Sequence, residues 1–157
     1  MKREIRGIPN LLGFFIAGLM VVIVSGSLAG CGTGNELAPK DLKVYVTHAL
    51  KTEARNLDVN RALNTEISLR VERLDIEEAR RAVRDLIAAC VGYFRRDNIT
   101  DFTHTTLVFH VRLASDADQF VKWTTSADNM LDLVKNRMTD EEFFALCDKE
   151  ENWYFMP

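Results

Sequence analysis

The chain has 157 residues, 47% of them hydrophobic, and sets 20 lysines and arginines against 23 aspartates and glutamates for a formal charge of −3. That length suits a single domain. The acidic balance speaks against nucleic acid as a partner, which would need a basic face to neutralise phosphates.

Taken in order, the chain opens with an export-type leader. Lys2, Arg3 and Arg6 outweigh Glu4, an uncharged apolar run extends from Leu11 to Val24, and Ser25-Gly26-Ser27 loosens it ahead of small residues. Read instead as a membrane span, Leu11 to Leu28 is 18 residues long and holds three glycines and two serines. At ~1.5 Å per residue it barely crosses ~30 Å of hydrocarbon. It also lacks a basic flank on its far side. Leu28-Ala29-Gly30-Cys31 resembles the lipobox of bacterial prolipoproteins. The resemblance covers the first 31 residues and implies a diacylglyceryl group on the Cys31 thiol, cleavage between Gly30 and Cys31, and often acylation of the new amine, palmitate included. Small side chains at Ala29 and Gly30 let a peptidase approach the backbone, and two or three acyl chains hold a protein on a membrane essentially permanently. Gly32, where an aspartate would favour the inner membrane, leans the resemblance toward the outer membrane, with the domain facing the periplasm.

The expected organisation is a signal peptide over 1–30, a lipidated flexible tether over 31–38 and one α+β domain over 39–157. Losing the leader leaves 17 basic and 22 acidic side chains, a formal −5. Cys90 and Cys147 are then an even pair in an oxidising setting, a candidate disulfide. The other reading is two buried thiols packing as small hydrophobes.

Leu42, Val46, Ala49, Leu50 and Leu57 follow a helical period from Pro39 to Asn56, although Leu42, Val44 and Val46 also alternate as a strand would. Within residues 63–74, Ile67, Leu69 and Val71 alternate as in a half-buried strand, and Leu63, Ile67, Val71 and Leu74 fit a helix nearly as well. Asp75 and Glu78 form a capping box for a long amphipathic helix whose apolar face runs from Ile76 to Phe94, with Asn98 as a left-handed stop. Thr105 to Leu113 alternates as the strongest strand and pairs across Ser115-Asp116-Ala117-Asp118 with Gln119 to Thr125 as an antiparallel hairpin. Ser126 caps a helix bearing Met130, Leu131, Val134 and Met138, and Thr139 with Glu142 opens a short helix carrying Phe143, Phe144 and Cys147. The sum is a two-layer α+β fold: a small antiparallel sheet of two to four strands with helices packed on one face.

The missing residue types narrow the chemistry. After Gly34 the chain has one glycine, Gly92, and after Pro39 one proline, Pro157. Phosphate-cradling loops and nucleophile elbows need several glycines, so a P-loop, a Rossmann turn and an α/β-hydrolase elbow are excluded, and no nucleotide or other cofactor is expected. His104 and His110 lie about 20 Å apart along one strand at ~3.3 Å per residue, too far to grip one metal. His48 stands alone. Glu141-Glu142 is explained by helix capping and dipole, and Asp97, Asn98 and Asp101 lack EF-hand spacing. Arg80-Arg81-Arg84 and Arg95-Arg96 are interleaved with Glu77, Glu78, Asp85 and Asp97, as on a solvated helix face.

The favoured reading is a lipid-anchored envelope module that binds or scaffolds without catalysis. Trp153, Tyr154 and Phe155 are its candidate contact with an envelope protein, since aromatics dominate interface energetics; the other account of that tail is packing into the core. The alternatives are a small envelope hydrolase using His104 or His110 with a nearby carboxylate, and a carrier of a small apolar ligand.

Overall fold

The computed structural model describes residues 35–102 and 106–154. Cys31, His104 and Phe155 lie outside the described residues, as does the leader. The α+β architecture is as the sequence predicts. Among the described residues four helices, α1 (Pro39–Ala49), α2 (Ile76–Arg96), α3 (Ala127–Val134) and α4 (Asp140–Leu146), accompany seven strands. Strands β2 (Leu57–Asn60), β3 (Thr65–Val71), β5 (Thr106–Leu113), β6 (Phe120–Ser126) and β7 (Asp148–Asn152) form the main sheet in the order β2-β3-β5-β6-β7. Strands β1 (Asn35–Glu36) and β4 (Ile99–Asp101) pair separately, in parallel.

The sheet is larger than expected and is mixed, because β3 runs parallel to β5 while every other pair in it is antiparallel. Parallel neighbours need a long crossover, and α2 supplies it. At ~1.5 Å per residue its 21 residues cover roughly 32 Å, enough to carry the chain back along the sheet. The ambiguous stretch at 63–74 is a strand for the same reason: Ile67, Leu69 and their partners Phe109 and Val111 are buried on the face that α2 covers.

Helix α2 begins at the foreseen capping box, where Asp75 accepts from the Glu78 amide at 2.7 Å and Glu78 accepts from the Asp75 amide at 3.1 Å. It buries Ala79, Val83, Leu86, Ile87, Cys90 and Phe94, and the chain leaves it through Asn98 at φ 51°. Helix α1 is shorter than predicted. Lys51 takes the left-handed conformation (φ 51°), its amide bonds to the His48 carbonyl at 3.2 Å, and the Thr52 amide bonds to the Thr47 carbonyl at 3.1 Å, a Schellman ending on a residue that sequence reading takes for helix. Asn136 (φ 55°) ends α3 in the same way. Ser126 and the Thr139–Glu142 box cap α3 and α4 as expected.

Two strands of the main sheet have no counterpart in the sequence reading. The first, β2, is only four residues long and follows the shortened α1. The other, β7, reads Asp-Lys-Glu-Glu-Asn, with no apolar alternation to reveal it. It is an edge strand, where charge blunts unwanted pairing. The fold also begins earlier than the expected boundary at 39, since Asn35 and Glu36 already pair with β4 and Leu37 is buried.

Gly92 has a structural reason. A Cβ there would meet the Tyr45 hydroxyl at 3.0 Å, so its absence lets the ring of Tyr45 on α1 lie against α2 and pack on Tyr93 at 5.6 Å.

Candidate functional site

A groove of about 600 Å³ opens at one end of the sheet, where three segments meet. The loop from β3 into α2 contributes Glu72, Arg73 and Leu74; the β5–β6 turn contributes Ser115 and Gln119; Trp153 and Tyr154 close it from the C-terminal side. The turn is organised by Asp116. Its carboxylate accepts from the Asp118 amide at 3.0 Å, from Gln119 Nε2 at 3.2 Å and from the Tyr154 hydroxyl at 3.0 Å. Those donors, Gln119 first, hold the Asp116 carboxyl below the usual aspartate range, and the same contact raises the Tyr154 phenol.

The aromatic tail therefore divides. Trp153 is half-buried and packs on the core, whereas Tyr154 is 49% exposed on the groove's rim. Strand β7 sets both positions. Lys122 pairs with Glu150 across the open face of the sheet, and Asn152 Nδ2 donates to the Asp118 carbonyl at 2.6 Å. Sequence reading found the aromatics but not the strand that aims them, because strand formation here comes from register and ion pairs.

His110 lies on the face of the sheet opposite α2. Its Nδ1 is 3.1 Å from Glu66 Oε1, which also accepts from the Ser68 hydroxyl at 2.7 Å. Burial pushes the Glu66 carboxyl up, but Ser68, His110 and Arg112 together hold it below its ordinary value. The order of these contacts matters chemically. A serine activated as nucleophile gives its proton to an imidazole nitrogen, and here the Ser68 hydroxyl and the His110 ring share one carboxylate. The arrangement is a polar clasp between two parallel strands, and His110 does not line this groove.

Most of the other sequence candidates have structural duties. Arg95 donates to the carbonyls of Leu133 and Val134 at 2.8 and 3.0 Å, closing the end of α3. Arg96 forks onto Asp97 at 2.6 and 2.9 Å. Arg84 stacks 5.4 Å from the Phe144 ring and 5.7 Å from that of Trp123. Glu142 belongs to a capping box, and Glu141 and His48 are exposed. Among the described residues no group of three His, Cys, Asp or Glu side chains converges as a metal site would require.

Cys90 and Cys147 are both free, buried thiols. Burial raises the Cys90 thiol far above the ordinary range, and it raises Cys147 as well, against a partial downward pull from Thr125 and Lys149. Cys147 Sγ lies 3.4 Å from the Phe143 carbonyl one helical turn back.

No helix among the described residues is long and apolar enough to cross a membrane. No known protein family, curated protein or solved structure matches this chain.

Proposed function

We propose that the chain is the precursor of a lipid-anchored envelope lipoprotein whose folded domain is a non-catalytic binding module. Cys31 carries the lipid, the outer membrane is the anchoring membrane, and the groove between the β3–α2 loop and Tyr154 receives a segment of another envelope protein. One observation carries the binding half of this reading: an exposed aromatic, Tyr154, held by Asp116 on the rim of a groove of about 600 Å³. A tyrosine presented in a fixed orientation loses little conformational freedom on docking, which favours contact residues of this kind. Glu72 and Arg73 line the same groove with both signs of charge, suiting a mixed-charge peptide better than a purely apolar ligand. The anchor half rests on the Leu28-Ala29-Gly30-Cys31 motif.

The test is affinity capture from detergent-solubilised envelope, comparing the native lipoprotein with a Tyr154→Ala, Arg73→Ala variant, with retained proteins identified by mass. A protein captured by the native chain and lost from the variant supports the groove. Identical retention by both excludes it.

A further inference from the structure

Helix α1 carries a second face that the fold leaves outward. Leu42 and Val46 enter the core. Lys40, Lys43, Val44, Thr47, His48 and Lys51 recur at intervals of three and four and line one shallow groove. Val44 is 65% exposed at the centre of that stripe. The carboxylates nearest in sequence are Asp41, in the first turn of α1, and Glu53, which is engaged by Arg55 at 2.6 Å. Asp140 and Glu141 on α4 and Asp148 on β7 are exposed carboxylates, whereas Glu150 and Glu151 of β7 are paired with Lys122 and Arg80; β7 lies at the opposite edge of the sheet from β2, which α1 packs against.

The distance to the anchor is short. Asn35 is already paired with β4 and Leu37 is buried, and three residues of sequence, Gly32, Thr33 and Gly34, lie between Cys31 and Asn35. At no more than ~3.6 Å per residue, that span reaches about 14 Å. On the reading that Cys31 is acylated, we infer that the Lys40–Lys43–Lys51 face of α1 rests on the anionic phospholipid headgroups of the anchoring leaflet, with Val44 against the interface. Three lysines provide the attraction, each interacting with anionic headgroups within about a Debye length of the surface, and an exposed valine among them adds apolar contact. The exposed carboxylates Asp140, Glu141 and Asp148 are repelled by the same surface, which favours one orientation: α1 toward the membrane and β7 away from it.

The experiment is amine footprinting of the purified full lipoprotein, reconstituted in phosphatidylcholine vesicles with and without phosphatidylglycerol, read residue by residue by mass. In anionic vesicles Lys40, Lys43 and Lys51 should be modified about five- to tenfold more slowly than in neutral ones, with the difference lost at high salt. Lys135 and Lys149 should keep one rate throughout. Equal rates at the α1 lysines in both vesicles, or equal slowing at Lys135 and Lys149, overturns the inference while leaving the anchor intact. Failure of the protein to float with neutral vesicles removes the anchor itself, and the inference with it.

Discussion

Arg80 on α2 grips Glu151 on β7 through two hydrogen bonds of 2.9 and 2.6 Å, joining the longest helix to the last strand of the sheet across 71 residues of sequence. The same guanidinium also reaches Glu77 at 2.5 Å. A forked pair between planar groups is among the more specific polar contacts available, and this one fixes the strand from which Trp153 and Tyr154 project.

A pH dependence follows. The Arg80 hydrogen bond holds Glu151 below its ordinary value of 4.5. A carboxylate depressed in the folded state contributes stability that is complete above its unfolded pKa and lost as pH falls through the folded one. Stability against urea should therefore fall as pH drops below about 4.5, and Glu151→Gln should remove part of that slope. At neutral pH the same substitution should cost at most about 1 kcal/mol, since the pair is partly solvated.

The two tail aromatics should separate cleanly in mutagenesis. Trp153→Ala should lower stability by roughly 1–2 kcal/mol, less than the range for a fully buried aromatic because the ring is only half-buried. Tyr154→Ala should leave the unfolding midpoint nearly unchanged while abolishing partner capture. Equal loss of stability in both variants would assign the whole tail to packing.

At Gly92 a larger residue should be costly. Leucine there must displace the Tyr45 ring and disturb its contact with Tyr93, and overpacking of this kind typically costs about 1–3 kcal/mol. Chemical denaturation of Gly92→Leu should show that loss, and pairing it with Tyr45→Ala should recover a measurable part.

Alkylation tests the thiols. Cys90 and Cys147 should resist a thiol reagent in the folded protein and react fully on unfolding without reductant, as read by mass on their peptides. Reaction that requires prior reduction would establish a bridge instead.

Helix α2 was legible because capping chemistry and a wide apolar stripe agree over five turns from Asp75 to Phe94. The β5–β6 hairpin was legible because Leu107, Phe109 and Val111 alternate with residues of the opposite face. What escaped reading was decided by partners distant in sequence. Lys51 ends α1 in a conformation usually given to glycine or asparagine, hiding the start of β2. Strand β7 has no hydrophobic signature, and its existence depends on β6, Lys122 and Arg80. The β3–β5 pairing is parallel because of where α2 delivers the chain. The site was half legible for the same reason: the aromatic residues stand out in sequence, while Asp116, Gln119 and Arg73 become their neighbours only on folding.

The account as a whole stands on Cys31, and intact mass of the protein extracted from membranes addresses it directly. The predicted species begins at Cys31, lacks the first 30 residues and carries the added mass of a diacylglyceryl group, with or without a further acyl chain on the amine. An unacylated chain still bearing Met1 would contradict it.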